Sequence, residues 1–516
     1  MGTMARKAKT PSFVLRLKLR TSKDDEAVLN DRLFHAFLLL NELVNVANDA
    51  VDQLFKDETY QAILQDILKL KKQMKSASKA GKKKSVIEEI ERQIKALNDR
   101  LQDIRTSYNL SEYQFHGIAG QLRKENGHEN YIDSRMAQLL SDRIWQSVEK
   151  RLFGNGKTIH HIRFEDVVSV QGNDNTTSVR IKKGRFVWGK MEICLDINYK
   201  KDKNGYLKQA LQHRIKFCRL VRLPLGKRYH YYVELVLEGV PPKKHTVGKG
   251  RVGIDPGTLS VAVASATKCI LEDLRDGIPD YSDEIAVLQQ KMDSSRRVNN
   301  PQNYNSDGTI KKGSKTWVNT KNYKKRAMKK RTLEGRQARA KKQHHEMLAN
   351  RILSLGDEVY TETMNYEALK RRKKETTINE KTSKYDKKKR FGKSLENGAP
   401  SMLLSIIDRK LGYEKKVLHK VDTKRFRASQ YNHITDEYVK KRLSQRSCNV
   451  DGHRVQRDLY SAFLLQHSNK DMTACDRDAC LKDFATFLKN HKECLDAIKS
   501  RIRDSNYKPL TSFGIK

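Results

Sequence analysis

The sequence predicts an α+β chain of several domains, in which a helical region is inserted in a small β-barrel and a mixed α/β domain follows. Three observations support this. The 516 residues are enough for about two to four domains. Apolar and polar residues alternate over residues 12–20, as in a half-buried strand, and from about Asp25 apolar residues recur at helical spacing. After about Thr158 the chain returns to short strand patterns.

The region after the first strand predicts helices throughout. Apolar residues from position 29 to 51 recur every three or four positions and predict one long helix. Residues 60–74, 86–104 and 132–153 predict further helices by the same criterion. The short strand patterns that follow, such as residues 231–237, would complete a barrel with the first strand.

Residues 251–264 predict a strand that ends at Asp255, a tight Pro-Gly turn and a second strand. The third region then continues as a third strand, a helix, a strand that ends at Glu362, a helix, a strand and a helix. This order is that of an RNase H-like sheet. In such a sheet, Asp255 would end the first strand, Glu362 the fourth, and Asp458 would begin a helix beside them. A Ser282 N-cap would begin the first helix of this region, which would end at about Lys291.

The three acidic residues are candidate metal ligands. Asp255, Glu362 and Asp458 offer the hard oxygen atoms that a two-metal phosphodiester-cleaving site requires. The alternative is that they are ordinary surface acids, but their order and strand context favour a site. Leu459, Ala462 and Phe463 would face the core, which would leave Asp458 free for the cleft.

The charge of the chain indicates an acidic polymer as partner. There are 104 Lys and Arg residues against 62 Asp and Glu, which gives a formal net charge of +42. One predicted helix, residues 322–355, is dense in basic residues with few acids to pair them. A solvated face is the ordinary explanation of such a run, but contact with phosphates is favoured here. The predicted phosphate contacts are Lys324, Lys325, Arg326, Lys329, Lys330, Arg331 and Arg336.

The sequence predicts a cytoplasmic protein. No apolar run approaches the roughly 20 residues of a membrane span. The first 20 residues lack the apolar segment of a signal peptide. The seven cysteines have no disulfide-framework spacing, which fits a reducing compartment.

Three short motifs resemble those of a known family. Gly-Ile-Asp-x-Gly at residues 253–257, Glu-x-Met-Asn at 362–365 and Arg-Asp-Leu at 457–459 resemble the three RuvC motifs of TnpB proteins. These are transposon-encoded RNA-guided nucleases, related to miniature type V CRISPR effectors. The resemblance covers nearly the whole chain, although only the nuclease motifs are specific. It implies that Asp255, Glu362 and Asp458 bind magnesium and catalyse cleavage.

The resemblance also implies a role for each domain. The helical region would be a recognition domain, the barrel a wedge domain, and the last domain a RuvC-like nuclease. The predicted boundaries are 1–25 for the first barrel strand, 26–157 for the recognition domain, 158–245 for the rest of the barrel, 246–427 for the first part of the nuclease, 428–453 for a degenerate zinc-finger-like insertion, and 454–516 for the last part of the nuclease and the tail.

The insertion departs from the family pattern. The family usually carries two Cys-x-x-Cys pairs just before the third motif, whereas here only Cys448 remains. His433 and His453 could supply nitrogen ligands, but four well-spaced ligands are missing. We therefore predict a finger that packs without zinc.

The function predicted from the sequence is RNA-guided, magnesium-dependent cleavage of DNA by a monomeric ribonucleoprotein. Its cofactors would be two Mg²⁺ ions, and its partners a guide RNA and a target double-stranded DNA, with no membrane. Two alternatives remain. An RNA-guided DNA-binding repressor without cleavage is disfavoured by the intact carboxylates. An unguided structure-specific nuclease is disfavoured by the large basic regions that precede the nuclease domain.

Overall fold

In the computed structural model, the chain forms two compact units, Met1–Pro242 and Lys243–Lys516. The structure describes residues 10–80, 84–226, 228–243, 245–313, 315–371, 391–442, 444–505 and 507–515. Each unit combines helices with one main sheet. No helix in these ranges has an apolar segment long enough to cross a membrane.

The main sheet of the first unit is antiparallel, and the first strand of the chain lies inside it. Its order is β2-β6-β7-β1-β5-β4-β3. Along β1 exposed and buried side chains alternate, as predicted. This strand pairs with β7 from Ser12 opposite Glu238 to Lys18 opposite Tyr232, and with β5 on its other side. The strands are β1 Ser12–Leu19, β2 Ser169–Gln171, β3 Val179–Lys182, β4 Arg185–Trp188, β5 Met191–Asp196, β6 Ile215–Leu225 and β7 Arg228–Glu238.

The sheet curls until its two edge strands approach one another. Gly172 directly follows β2, and Val179 begins β3 at the opposite edge. A Cβ atom at Gly172 would lie 2.5 Å from the carbonyl oxygen of Val179. A side chain at this position would therefore collide with the other edge.

Helices α1 to α5 lie between β1 and β2 in the chain, as predicted. Ser22 caps α1: its hydroxyl accepts from the Asp25 backbone N–H, and the Asp25 carboxylate accepts from that of Ser22. Apolar side chains of these helices and of the sheet form one hydrophobic core. The bounds are α1 Lys23–Leu54, α2 Glu58–Lys79, α3 Lys84–Ser107, α4 Glu112–Glu125 and α5 Ser134–Phe153, with a short α6 at Tyr206–Ala210.

The main sheet of the second unit has five strands in the order β10-β9-β8-β11-β12. The pairs β10–β9 and β9–β8 are antiparallel, whereas β8–β11 and β11–β12 are parallel. The first of these strands in the chain carries Asp255 and the fourth carries Glu362, as predicted. They are β8 Arg251–Pro256, β9 Ser260–Ser265, β10 Cys269–Asp273, β11 Glu358–Glu362 and β12 Leu418–Val421.

Helices cover both faces of this sheet. Apolar residues of α8 and α11 pack in one core cluster, and those of α13 and α14 in another. The helices are α7 Ser282–Asn299, α8 Lys321–Leu353, α9 Tyr366–Lys370, α10 Gly392–Gly398, α11 Pro400–Tyr413, α12 Thr423–Phe426, α13 Arg457–Gln466 and α14 Arg477–Asp504. Two small hairpins precede α13, formed by β13 Tyr431–Asn432 with β14 Glu437–Tyr438 and by β15 Ser447–Val450 with β16 His453–Gln456.

The prediction for α7 was wrong at both ends. Ser282 is the first residue of the helix and not its cap, because the carbonyl oxygen of Tyr281 accepts the first helical hydrogen bond, from the Ile285 N–H at 2.9 Å. The helix continues to Asn299, and Pro301 follows shortly after. It buries Leu288 alone among its described residues, so apolar spacing does not mark its full length.

Candidate metal centre

Two of the predicted carboxylates end adjacent parallel strands. The register between β8 and β11 places Thr361 opposite Ile254. One residue further along both strands, the same register places Glu362 opposite Asp255. Neighbouring strands lie about 4.8 Å apart, so the two side chains share one edge and one face of the sheet.

A glycine brings the third carboxylate to the same edge. Helix α13 crosses β8 so closely that a Cβ atom at Gly253 would lie 1.9 Å from the carbonyl oxygen of Ala462 and 2.4 Å from the backbone nitrogen of Gln466. A glycine is therefore required at position 253 because the backbone of α13 lies against it, and not because the chain turns there. Asp458, the second residue of α13, is held beside the end of β8.

The three carboxylates interact electrostatically. The pKa of Asp255 is raised well above its usual value, first by burial and then by the charges of Asp458 and Glu362; Arg457 and the Ser461 hydroxyl oppose this rise. Burial also raises the pKa of Glu362. The structure therefore brings together the three residues that the sequence singled out.

Asp458 is less free than predicted. Its side chain is 16% exposed, and its Oδ1 atom accepts from Nη2 of Arg457 at 3.1 Å and from Nε at 3.2 Å. Arg457 Nη1 also donates to the carbonyl oxygen of Gln445 at 3.2 Å. The sequence prediction considered only the apolar face of α13. In the structure, the positive charge of Arg457 holds Asp458 in place.

The start of α13 is fixed by a second set of hydrogen bonds. The Gln456 side chain caps the helix, since its Oε1 atom accepts from the Leu459 backbone N–H at 2.7 Å. The Gln456 backbone N–H donates to Nε2 of His491 at 2.9 Å. Burial lowers the pKa of His491 to about 4, so its ring is neutral near pH 7 and can accept this bond.

Sequence reasoning missed Tyr366. Asn365 caps the short helix α9, because its Oδ1 atom accepts from the Ala368 backbone N–H at 2.9 Å. Burial, and then the charges of Asp255 and Glu362, raise the pKa of Tyr366. Its hydroxyl oxygen is buried without a hydrogen-bond partner among the described residues. An Asn three residues after the strand-end Glu was the available signal, since Asn favours helix caps.

These residues fit magnesium. Three carboxylates and a phenol are hard oxygen donors, and one arginine does not balance three half-buried acids. The carboxylates are not drawn tightly together. Within the described ranges, the three-residue group whose ligand atoms all lie within 4.8 Å of one another is elsewhere, in the first unit. A wider arrangement suits two ions, which lie about 3.5–4 Å apart in such centres.

The predicted basic residues of α8 fall into two groups. Lys324, Lys325, Lys329 and Arg336 are exposed. The others are partly buried: Arg326 donates to the carbonyl oxygen of Lys291 at 3.2 Å, Lys330 pairs with Glu334 at 2.8 Å, and Arg331 is likewise half-covered. The exposed residues are therefore the ones best placed to contact phosphates.

Two of the three candidate zinc ligands, His433 and Cys448, lie in apolar packing. His433 is buried among Phe463 and Phe484, and its Nδ1 atom lies 2.7 Å from the Tyr460 hydroxyl. Burial lowers the pKa of His433 to about 4. Cys448 is buried in the β15–β16 hairpin, and burial raises the pKa of its thiol. His453 is exposed at the turn of that hairpin. The absence of bound zinc stays a prediction.

Comparisons with known proteins give distant structural matches. No protein-family model and no curated protein matches the sequence. A cryo-EM structure of a Cas12f1–sgRNA–target DNA complex matches at 13% identity and a TM-score of 0.37, over 89% of this chain and 99% of that one. A cryo-EM structure of a CRISPR-Cas12f ternary complex matches at 11% identity and a TM-score of 0.23, over 88% of this chain and 98% of that one. A crystal structure of a Cas12i1 R-loop complex matches at 9% identity and a TM-score of 0.26, over 90% of this chain and 66% of that one. Matches with these TM-scores carry no conclusion about this chain.

Proposed function

We propose that the protein is an RNA-guided, magnesium-dependent DNA endonuclease with a RuvC-like centre. The observation that carries the proposal is the meeting of Asp255, Glu362 and Asp458, from positions about a hundred residues apart, at one edge of the five-stranded sheet. The motifs around the same three residues are those that resemble TnpB proteins.

Each residue of the centre has a role in this proposal. Asp255, Glu362 and Asp458 would hold the two magnesium ions. Two bound magnesium ions supply activation of the attacking water and stabilisation of the leaving oxygen. Arg457 holds Asp458 in place, and the Tyr366 hydroxyl, buried without a hydrogen-bond partner among the described residues, adds a polar oxygen close enough to Asp255 and Glu362 for their charges to raise its pKa.

The basic surface supports a nucleic-acid partner. The exposed residues Lys324, Lys325, Lys329 and Arg336 offer contacts to phosphates that do not depend on sequence. A protein that clamps a guide–target duplex by its backbone leaves sequence recognition to base pairing. The helical region and the barrel of the first unit would supply that clamp. A repressor that does not cleave has no use for three carboxylates gathered at one edge of a sheet, two of which raise the pKa of the third.

Programmed cleavage tests the proposal. The purified ribonucleoprotein, loaded with either of two guides, is incubated in magnesium with two DNA targets. We expect each guide to direct cleavage of its own target and mismatches beside the protein-read DNA motif to reduce cleavage most. Asp255→Ala should abolish cleavage and retain binding. Equal cleavage of both targets with either guide would support the unguided nuclease, and full cleavage by Asp255→Ala would refute the metal centre.

A further inference from the structure

A second group of metal-ligating side chains lies in the helical part of the first unit. Glu112 and His116 are on α4, and Asp142 is on α5. One ligand atom from each lies within 4.8 Å of the other two. The Nε2 atom of His116 and Oδ1 of Asp142 are 2.6 Å apart. No residue of the nuclease motifs takes part in this group.

The two helices hold these side chains in a defined arrangement. Glu112 and His116 are four residues apart, which places them on one face of α4. The neighbouring Phe115 is fully buried and its ring lies 5.6 Å from that of Trp145 on α5. The ligand groups thus lie beside a packed α4–α5 contact while staying accessible: the side chains of His116 and Asp142 are 27% and 33% exposed.

The charge of the group is unusual for this chain. Although Lys and Arg outnumber Asp and Glu by 104 to 62, neither Glu112 nor Asp142 forms an ion pair with Lys or Arg in the described ranges. Two carboxylates this close repel each other unless a positive charge lies between them. A cation bound between them would supply that charge.

We propose that Glu112, His116 and Asp142 bind one divalent transition-metal ion of the zinc class. Imidazole nitrogen with two carboxylate oxygens is a donor set that suits zinc, whereas magnesium prefers oxygen donors alone. Binding would replace the hydrogen bond between His116 and Asp142 by bonds to the ion and leave a fourth position for water. The ion would join α4 to α5.

The experiment counts bound zinc on the full-length protein. Equilibrium dialysis against Zn²⁺ is done with excess Mg²⁺, which occupies oxygen-only sites, and with a thiol reductant. Wild type is compared with His116→Ala, Asp142→Asn and, as a control, His160→Ala, which removes an exposed histidine. Zinc held by cysteines is common to all four proteins, so the difference between them isolates this group.

We expect His116→Ala to lose about one zinc per chain, since three protein ligands are the usual minimum for such a site. Asp142→Asn should weaken that binding at least tenfold, and His160→Ala should bind as wild type does. Binding should also weaken as the pH is lowered, because protons compete with the ion for its ligand atoms. Circular dichroism without zinc identifies any misfolded variant; if His116→Ala misfolds, the result with Asp142→Asn decides.

Equal zinc binding by wild type and both variants would overturn the proposal. So would a His116 ring that NMR shows to be protonated near pH 7 and unaffected by zinc, because the histidine would then itself neutralise the two carboxylates. Neither result bears on the nuclease centre, whose residues are unchanged in every variant.

Discussion

Asp255 occupies the most costly position for a negative charge in the candidate metal centre. Its carboxylate is buried beside two others, and its pKa is raised for both reasons. A raised pKa in the folded state means that ionisation opposes folding: the cost is absent below the unfolded pKa and is complete above the folded one. Without magnesium near pH 7, this residue therefore lowers the stability of the second unit.

Asp255→Asn should raise the stability of the protein without magnesium and abolish its activity. We expect the variant to unfold at a higher temperature than wild type in EDTA, by about 2–4 °C for each kcal/mol of relieved repulsion, and to be inactive. Magnesium should raise the unfolding temperature of wild type more than that of the variant. The measurement is thermal unfolding followed by circular dichroism, with the exposed Asp471→Asn as control. A lower unfolding temperature for Asp255→Asn in EDTA would contradict this account.

At the scale of elements, the contact between β8 and α13 sets the position of Asp458. It depends on a glycine in the middle of a strand, where glycine is ordinarily unfavourable. The backbone of α13 occupies the space that any side chain at Gly253 would need. The first nuclease motif thus contributes a packing surface as well as a metal ligand.

Gly253→Ala should disrupt the centre without removing a ligand. We expect the folded state to be destabilised by on the order of 1–3 kcal/mol, as for an overpacked core, and cleavage to be abolished while nucleic-acid binding is retained. Gly412→Ala is the matched control, because it lies in α11 with nothing within 4 Å of its Cβ position. The control should be neutral or stabilised by up to ~1 kcal/mol. Urea unfolding and DNA cleavage of both variants check this.

The elements that carry the centre were predictable because each has a strong local signal. Alternation and apolar runs mark β8 and β11, and helical periodicity marks α13. What the sequence did not indicate depends on residues far apart in the chain. The acceptor for the Gln456 N–H follows from packing, and so does the proximity of Tyr366 to Asp255.

At the scale of the whole molecule, a net charge of +42 requires compensation. Ion pairs within the protein offset part of the charge on α8, as at Lys330 and Glu334. Exposed basic residues beyond such pairs attract a polyanion, and the release of its counterions makes binding dependent on salt. Of the seven predicted phosphate contacts, the four exposed residues are therefore the best ones to test.

Reversing these four charges should weaken binding in a way that salt reveals. For Lys324, Lys325, Lys329 and Arg336 changed together to Glu, we expect the dependence of log affinity on log salt to become shallower by about 0.9 for each phosphate that the protein no longer neutralises. The control reverses Lys482, Lys489, Lys492 and Lys499, which are exposed on α14, and so changes net charge equally. Binding is measured by fluorescence anisotropy with a labelled duplex. An equal change of slope in both variants would show that only total charge matters.

The position of β1 between β7 and β5 has a consequence for synthesis on the ribosome. The first strand to emerge has no neighbouring strand until β5 and β7 have been made, because Ser12 pairs with Glu238. Helices α1 to α5 emerge in the meantime, and pairing across so long a stretch of chain is intrinsically slow. The second unit follows the same order: β8 and β11 precede α13, so Asp458 joins Asp255 and Glu362 last. A nascent chain therefore carries two of the three carboxylates while residues 363–457 are synthesised, and it cannot assemble the complete centre before α13 leaves the exit tunnel.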